Sequence, residues 1–271
     1  MFARSLFGFQ LLVRLAAIAL LASCGGGNLA TRPYPTPNVE AVKGQIAKRT
    51  AAIASFRSES LMDYWLGDTR VKGTVWILGR PGKYLRFNGL SPAGDTVIAD
   101  LACNGKDFAF IDVTNNCQRQ GLCDRAAIEQ FLRISLAPDD FLLLANGSTP
   151  MIPGTATLRW DSKVGHEILM IKGSNHIQTV ALDGRNNRWD IVSSSLRNAR
   201  NEIVWIVENK DFAPVVDENG KSVRMPKRTR MRQPDEKADL IVRWRQRKLN
   251  LTLGDEKFEL TPDPSIPHCP Q

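Results

Sequence analysis

The sequence predicts an α+β fold that is mainly β: one large, strongly curved antiparallel sheet with a few helices covering one face. Three observations lead there. Apolar residues recur at every second position in many short runs, as in Ile203, Trp205 and Val207 or Val180 and Leu182. Turn residues separate the runs, among them Asn104-Gly105, Asp183-Gly184 and Lys163-Val164-Gly165. Only three segments show helical spacing. Period-two alternation marks strands with one buried face, and few helices beside many hairpins mark an antiparallel sheet.

The chain opens on a basic and then apolar segment. Arg4 and Arg14 precede Leu15 to Leu21, and the run ends in Leu21-Ala22-Ser23-Cys24 and three glycines. That order is the order of a secretory signal. The uninterrupted apolar run is too short to cross a bilayer, which takes roughly 20 residues. Leu-Ala-Ser-Cys matches the lipobox of bacterial lipoproteins, whose cysteine is acylated and becomes the new N-terminus. A signal over residues 1–23 and a lipid on Cys24 are therefore expected. At roughly 0.8 kcal/mol per buried methylene, two or three acyl chains hold a chain firmly on a membrane. Gly25 after the cysteine fits export to the outer membrane, with the body facing the periplasm. Residues 24–38, with Pro33, Pro35 and Pro37, read as the lipidated end and a flexible tether.

The body follows in order. Val39, Val42, Ile46, Ile53 and Phe56 give helical spacing from Val39 to about Phe56. Arg57 to Gly67 and Thr69 to Gly79 form a hairpin about Gly67-Asp68. Lys83 to Gly89 and Asp95 to Ala102 flank a loop, and Asn104-Gly105 turns into Asp107 to Val113. A break follows at Asn115-Asn116-Cys117. Asp124 is an N-cap candidate for a helix to Leu136, and Pro138 to Ala145 is a second short helix. The rest is strands: Thr155 to Asp161, His166 to Lys172, Asn175 to Asp183, Arg188 to Ser195, Glu202 to Asn209, Lys227 to Gln233 and Ala238 to Leu249.

With 43% apolar residues the chain can build a core. Its net charge of +8 suits a body near anionic lipid. The exported location argues against nucleic acid. Beyond Cys24 there are Cys103, Cys117, Cys123 and Cys269, which in an oxidising compartment form two disulfides. Of the three pairings, Cys117–Cys123, closing a polar loop, with Cys103–Cys269, pinning the tail, is favoured. A metal site is disfavoured because no pair has CxxC spacing and only three histidines exist.

No catalytic signature stands out: no nucleophile elbow, P-loop, HExxH or dinucleotide fingerprint. Gly165-His166-Glu167 reads as exposed polar residues at a hairpin edge, and Asp139-Asp140 as carboxylates complementing a helix start. No enzyme, cofactor or metal is expected. The basic stretch Lys221, Arg224, Lys227, Arg228, Arg230 and Arg232, followed by Arg243, Arg245, Arg247 and Lys248, reads as the solvated face of strands. A surface for anionic lipid or an acidic partner is the functional alternative.

Several local runs resemble the LolA/LolB family of lipoprotein carriers and receptors. Tyr84-Leu85-Arg86-Phe87-Asn88-Gly89-Leu90-Ser91-Pro92-Ala93-Gly94 is similar to the family's strand and apolar-tipped loop. Ala127-Ile128-Glu129-Gln130-Phe131-Leu132 and Pro138 to Gly147 resemble its inserted helices, and a strand run closing with Lys257-Phe258-Glu259-Leu260 also fits. The extra cysteines and the Arg-rich strands depart from that pattern. The resemblance implies a single domain over 39–271, a half-barrel with helices as a lid over an apolar cavity for acyl chains of lipids or lipoproteins. A periplasmic carrier or another envelope protein is the implied partner. Candidate lining residues are Leu61, Trp65, Trp76, Leu85, Phe87, Phe108, Phe131, Leu143, Leu169 and Ile171. Leu90 would be the exposed apolar loop residue that enters the membrane. A structural or assembly lipoprotein, binding through a sheet edge or the basic face, is the alternative.

Overall fold

The computed structural model describes residues 29–132 and 136–270, with the side chains of Phe131 and Leu132 outside it. Cys24 and the signal segment lie outside the described residues. The strands are β1 (Phe56–Leu66), β2 (Thr69–Arg80), β3 (Tyr84–Leu90), β4 (Val97–Asn104), β5 (Asp107–Asp112), β6 (Cys117–Leu122), β7 (Thr155–Asp161), β8 (His166–Lys172), β9 (His176–Asp183), β10 (Asp190–Asn198), β11 (Ile203–Val216), β12 (Ser222–Gln233) and β13 (Ala238–Leu249). They form one antiparallel sheet in the order β6-β5-β4-β3-β2-β1-β13-β12-β11-β10-β9-β8-β7. Strands consecutive in the chain are neighbours in the sheet except β6 and β7, and the one non-consecutive pair is β1 with β13. The sheet is open, with β6 and β7 at its two edges. So many twisted strands cannot stay flat, and the sheet curls into a half-barrel.

Three helices lie over its concave face. Helix α1 (Val39–Ala51) starts at Asn38, whose side chain accepts from the Ala41 N–H at 3.1 Å. It presses Val42 and Ile46 onto Leu169, Ile171, Val180, Leu182 and Ile191. Burying those two helix residues contributes roughly 1.5–3 kcal/mol each. Helices α2 (Arg125–Leu132) and α3 (Pro138–Ala145) cover the other half. There Ala127, Ile128, Phe141 and Leu142 join Ile77, Leu85, Leu101 and Phe108 in a second cluster. The Asp124 carboxylate caps α2 by accepting from the Ala127 N–H at 3.1 Å. At α3, Asp140 accepts from the Ala137 N–H, while Asp139 accepts from the N–H groups of Gly82 and Lys83 in the β2–β3 turn. Gly79 is what lets α3 sit down. A Cβ there would meet Leu142 at 2.3 Å and Phe56 at 2.9 Å.

Several expectations need correction. The break at Asn115-Asn116-Cys117 leads into β6, whose polar run Gln118-Arg119-Gln120 pairs with β5. The first helix ends at Ala51, and Phe56 opens β1 instead. Lys257-Phe258-Glu259-Leu260 is no strand. A 3-10 turn over Asp255–Phe258 buries Phe258 against Tyr84, ring centroids 5.4 Å apart. The disulfides are Cys103–Cys123 and Cys117–Cys269, not the favoured pairing. The reason is β6 itself. Six extended residues hold its ends about 20 Å apart, whereas disulfide-bonded Cα atoms lie about 4.4–6.8 Å apart. Cys123 instead closes on β4, and Cys117 holds the C-terminal tail, which also pairs with Gln118 through Pro267 and Cys269.

The proline-rich segment is also no free tether from residue 30 onward. The Ala30 N–H donates to the Ser162 carbonyl at 2.8 Å, and the Trp160 indole N–H donates to the Ala30 carbonyl at 2.9 Å. Arg32 reaches Glu167 at 2.6 Å. Tyr34 stands edge-on to both Trp160 and Trp189. Gly184 makes room for it, since a Cβ there would lie 2.5 Å from the Tyr34 hydroxyl. Burial, then the charges of Glu167 and Asp183, push the Tyr34 hydroxyl above its ordinary pKa. Glu167 is fully buried, so it is not the exposed edge residue expected from its place in a turn-flanking triplet.

Candidate functional site

Directly paired residues of an antiparallel sheet share a face. From β13 through β1 to β5, the inward set is Leu249, Phe56 and Gly79, then Ser58 with Ile77, Ser60 with Val75, and outward along the sheet Leu85, Phe87, Leu101, Cys103, Phe108 and Phe110. The lid meets this face through Phe141, whose ring lies 5.1 Å from that of Phe87. Under α3 the face is filled. Toward the β6 edge it is not. An open groove of about 1460 Å³ runs there, with Phe108, Phe110 and Cys117 along its strand side and Ala126, Ala127 and Gln130 of α2 along its helix side. Asp112, Arg119, Gln120, Glu129 and His268 line it as well. The lining is half apolar and half polar or charged, with the aromatic pair Phe108 and Phe110 as the apolar patch that a lipophilic ligand needs.

A second opening of about 610 Å³ lies between α1 and α3, lined by Ile46, Ala47, Ile53, Leu143 and Met151. Its neighbourhood is held by charge. Buried Asp190 accepts from Arg49 of α1 at 2.8 Å and from Arg224 of β12 at 2.7 Å, and Arg49 also reaches the Gly147 carbonyl. This carboxylate ties lid helix, β10 and β12 together. Burial lowers the Arg49 pKa, and Asp190 opposes that shift.

The expected lining residues divide. Leu85, Phe87 and Phe108 do come together on the concave face. Leu169 and Ile171 share that face of the sheet but are sealed under α1, in the other cluster. Leu143 lines the opening between α1 and α3, and the Phe131 side chain lies outside the described residues. Leu61, Trp65 and Trp76 are corrections. They pair with Thr74, Arg70 and Glu59 on the convex face, where Arg70 stacks over Trp65 at 4.6 Å and Trp76 is 45% exposed. Leu90 is another correction. It ends β3, pairs with Val97 and is 6% exposed, so it is no membrane-entering loop tip. Phe110, Ala126 and Ala127 line the groove without having been expected there. The parity of Phe108, carried two residues on to Phe110, was the signal for the first of them.

Part of the basic stretch is paired: Arg224 with Asp190, Arg230 with Asp239, Arg232 with Glu208 and Arg245 with Glu59. Arg247 differs. Ser58 and Ser60 pair with Arg247 and Trp244, which turns both β13 side chains inward.

No family model and no curated protein sequence matches the chain. Solved structures do. A LolA superfamily protein from Nitrosomonas europaea matches with a TM-score of 0.54 at 12% identity, over 83% of this chain and 99% of that one. The chain shares the fold of that structure. A domain from Vibrio parahaemolyticus named for outer membrane lipoprotein sorting matches with a TM-score of 0.56 at 9% identity, over 82% and 97% of the two chains. A DUF1329 family protein from Desulfovibrio piger matches with a TM-score of 0.55 at 16% identity, over 83% and 98%. At such identities the likeness is one of fold: an open, curved sheet with lid helices on its hollow side.

Proposed function

We propose that this protein is an envelope lipoprotein, held at the outer membrane by lipid on Cys24, that takes acyl chains of lipids or lipoproteins onto its concave face. The observation that carries the proposal is the groove of about 1460 Å³ between α2 and β5–β6, floored by Phe108 and Phe110. Under α3 the hollow is packed, so α2 must lift or shift for a chain to run deeper from this groove. The docked segment sets where the body stands. Between Cys24 and Ala30 lie five residues, which span at most roughly 18 Å. The β7–β8 hairpin, whose Val164 is 58% exposed, thereby comes closest to the bilayer. A protein held so closely receives or presents cargo at one membrane rather than ferrying it. The fold neighbour named for lipoprotein sorting agrees with that role.

Ala126 is exposed on α2 and lines the groove. Ala126→Trp should obstruct its helix side while leaving stability within about 0.5 kcal/mol, as surface substitutions do. Uptake of a fluorescent fatty acid by the mature protein should fall at least fivefold. Equal uptake by the variant would remove the groove from the account.

One observation favours an assembly role instead. Strand β7 has no neighbour beyond it among the described residues, and a free edge can accept a strand from another envelope protein. Under that role, wild type takes up no fatty acid, and substitution of the exposed edge residues Thr155 and Thr157 by Pro blocks partner binding.

A further inference from the structure

Strand β12 begins at Ser222 and β13 ends at Leu249, yet they pair only from Arg228 to Gln233 against Ala238 to Arg243. Beyond that the two strands part. The space between them is a cleft of about 320 Å³, lined among others by Ala213, Val215, Met225, Lys227, Trp244 and Arg247. A bulge on β13 sets the last two. Ser60 pairs with Trp244 and Ser58 with Arg247, so Arg245 and Gln246 bulge out against the single residue Glu59. The result puts the Arg247 guanidinium over the Trp244 ring at 4.3 Å.

The Arg247 Nε and Nη2 atoms are buried and have no hydrogen-bond partner among the described residues. This is an expensive arrangement. A buried guanidinium N–H is ordinarily hydrogen-bonded, and leaving two of them unmet is unfavourable. Burial lowers the Arg247 pKa to about 9, which leaves it a cation at neutral pH. No acidic side chain lines the cleft, and Lys227 and Arg245 line it beside Arg247. The nearby acid Glu59 is 3.7 Å from Arg245. A network beside it does satisfy its polar groups. The Trp244 indole donates to the Thr229 hydroxyl, which donates to Asn209, which donates to the Ile191 carbonyl. The two Arg247 nitrogens stand outside that network.

We infer that the cleft between β12 and β13 is a binding site for an oxyanion group, a phosphate or a carboxylate, held by Arg247. A guanidinium presents donors in a planar fork that matches such groups, and a site dry on two of those donors strengthens the contact. Trp244 fixes the fork from one side, Met225 and Val215 exclude water, and Lys227 adds charge. The chemistry is shared by the headgroup of an anionic lipid and by free phosphate. The cleft is separate from the acyl groove at the β6 edge and does not depend on it.

The test titrates the wild-type protein with three probes: inorganic phosphate, hexanoate, and dihexanoyl phosphatidic acid below its micelle concentration. Calorimetry and the NMR signal of the Trp244 indole N–H read binding. At least one probe should bind and move that signal. Binding of phosphatidic acid at least tenfold tighter than of phosphate assigns the site to a lipid headgroup, and equal affinity assigns it to the free anion. Arg247→Met should weaken binding at least tenfold while raising the melting temperature of the ligand-free protein, because it removes an unpaired buried charge. Arg247→Lys should retain part of the affinity. If no probe moves the Trp244 signal, or if Arg247→Met binds as wild type does, the proposal is wrong. A protein that binds phosphate at Arg247 but takes up no fatty acid would leave this site standing and the acyl groove fallen.

Discussion

Arg32→Met probes the docking of the N-terminal segment. Glu167 has no solvent exposure, and Arg32 approaches it with Nε at 2.6 Å and Nη2 at 3.4 Å. Removing one partner of a buried pair costs roughly 3–5 kcal/mol, because the other charge is left in a poor solvent. Arg32 keeps 23% of its side chain exposed, so water reaches the rim of the pair. The low end, about 3 kcal/mol, therefore applies. A second limit points the same way. If residues 29–38 lift off, water reaches Glu167, so the loss cannot exceed what docking of that segment contributes. For an m-value near 3 kcal/mol/M, the urea midpoint should drop by about 1 M. The lifting has its own signature: exchange of the Ala30 amide, bonded to Ser162 in the native chain, should speed up more than that of the β1–β13 core. Adding Glu167→Gln to the variant should restore most of the loss. A midpoint within 0.2 M of wild type, with Ala30 exchange unchanged, would refute the reasoning.

Two further outcomes follow from the same geometry. Cys103–Cys123 spans 20 residues and Cys117–Cys269 spans 152, so chain entropy assigns them about 3 and 5 kcal/mol. Replacing the second pair by serines should cost about 2 kcal/mol more than replacing the first in guanidinium unfolding, and the reverse order would contradict that entropic account. The carboxyls of Asp63, Asp183 and Asp217 are held below the usual range by Arg70, by Arg185 and by Asn250, respectively. Groups with depressed native pKa values stabilise the fold fully above their unfolded value near ~3.9 and lose that contribution as pH falls through the native one. Stability should therefore decline below about pH 4, and Asp63→Asn should flatten the decline in acid unfolding curves.

Local signals carried much of the fold. Asn104-Gly105, Gly67-Asp68 and Asp183-Gly184 mark real turns, and Asn38 and Asp124 cap real helices. What stayed hidden was parity and distance. In β1 the inward residues Phe56, Met62 and Tyr64 are interrupted by Ser58 and Ser60, while the outward set contains Leu61 and Trp65. Either face looks apolar, so the convex tryptophans were legible only once the register was known. Strand β6 was masked by its polar residues, which sit at an edge where a disulfide and the tail supply the hold that a core would give. That hidden strand is also why the cysteines pair as they do. The Arg32–Glu167 pair joins residues 135 apart, and no local pattern announces it. Arg247 looked like one of many surface arginines because a bulge, not the sequence alternation, turns it inward.

The central claim is that the concave face holds acyl chains, and native mass spectrometry of the protein purified from membranes tests it most directly. The account predicts adducts with the mass of a fatty acid or phospholipid on wild type, sharply reduced in Ala126→Trp. Bare protein in both samples, with no fatty acid taken up on addition, would contradict it.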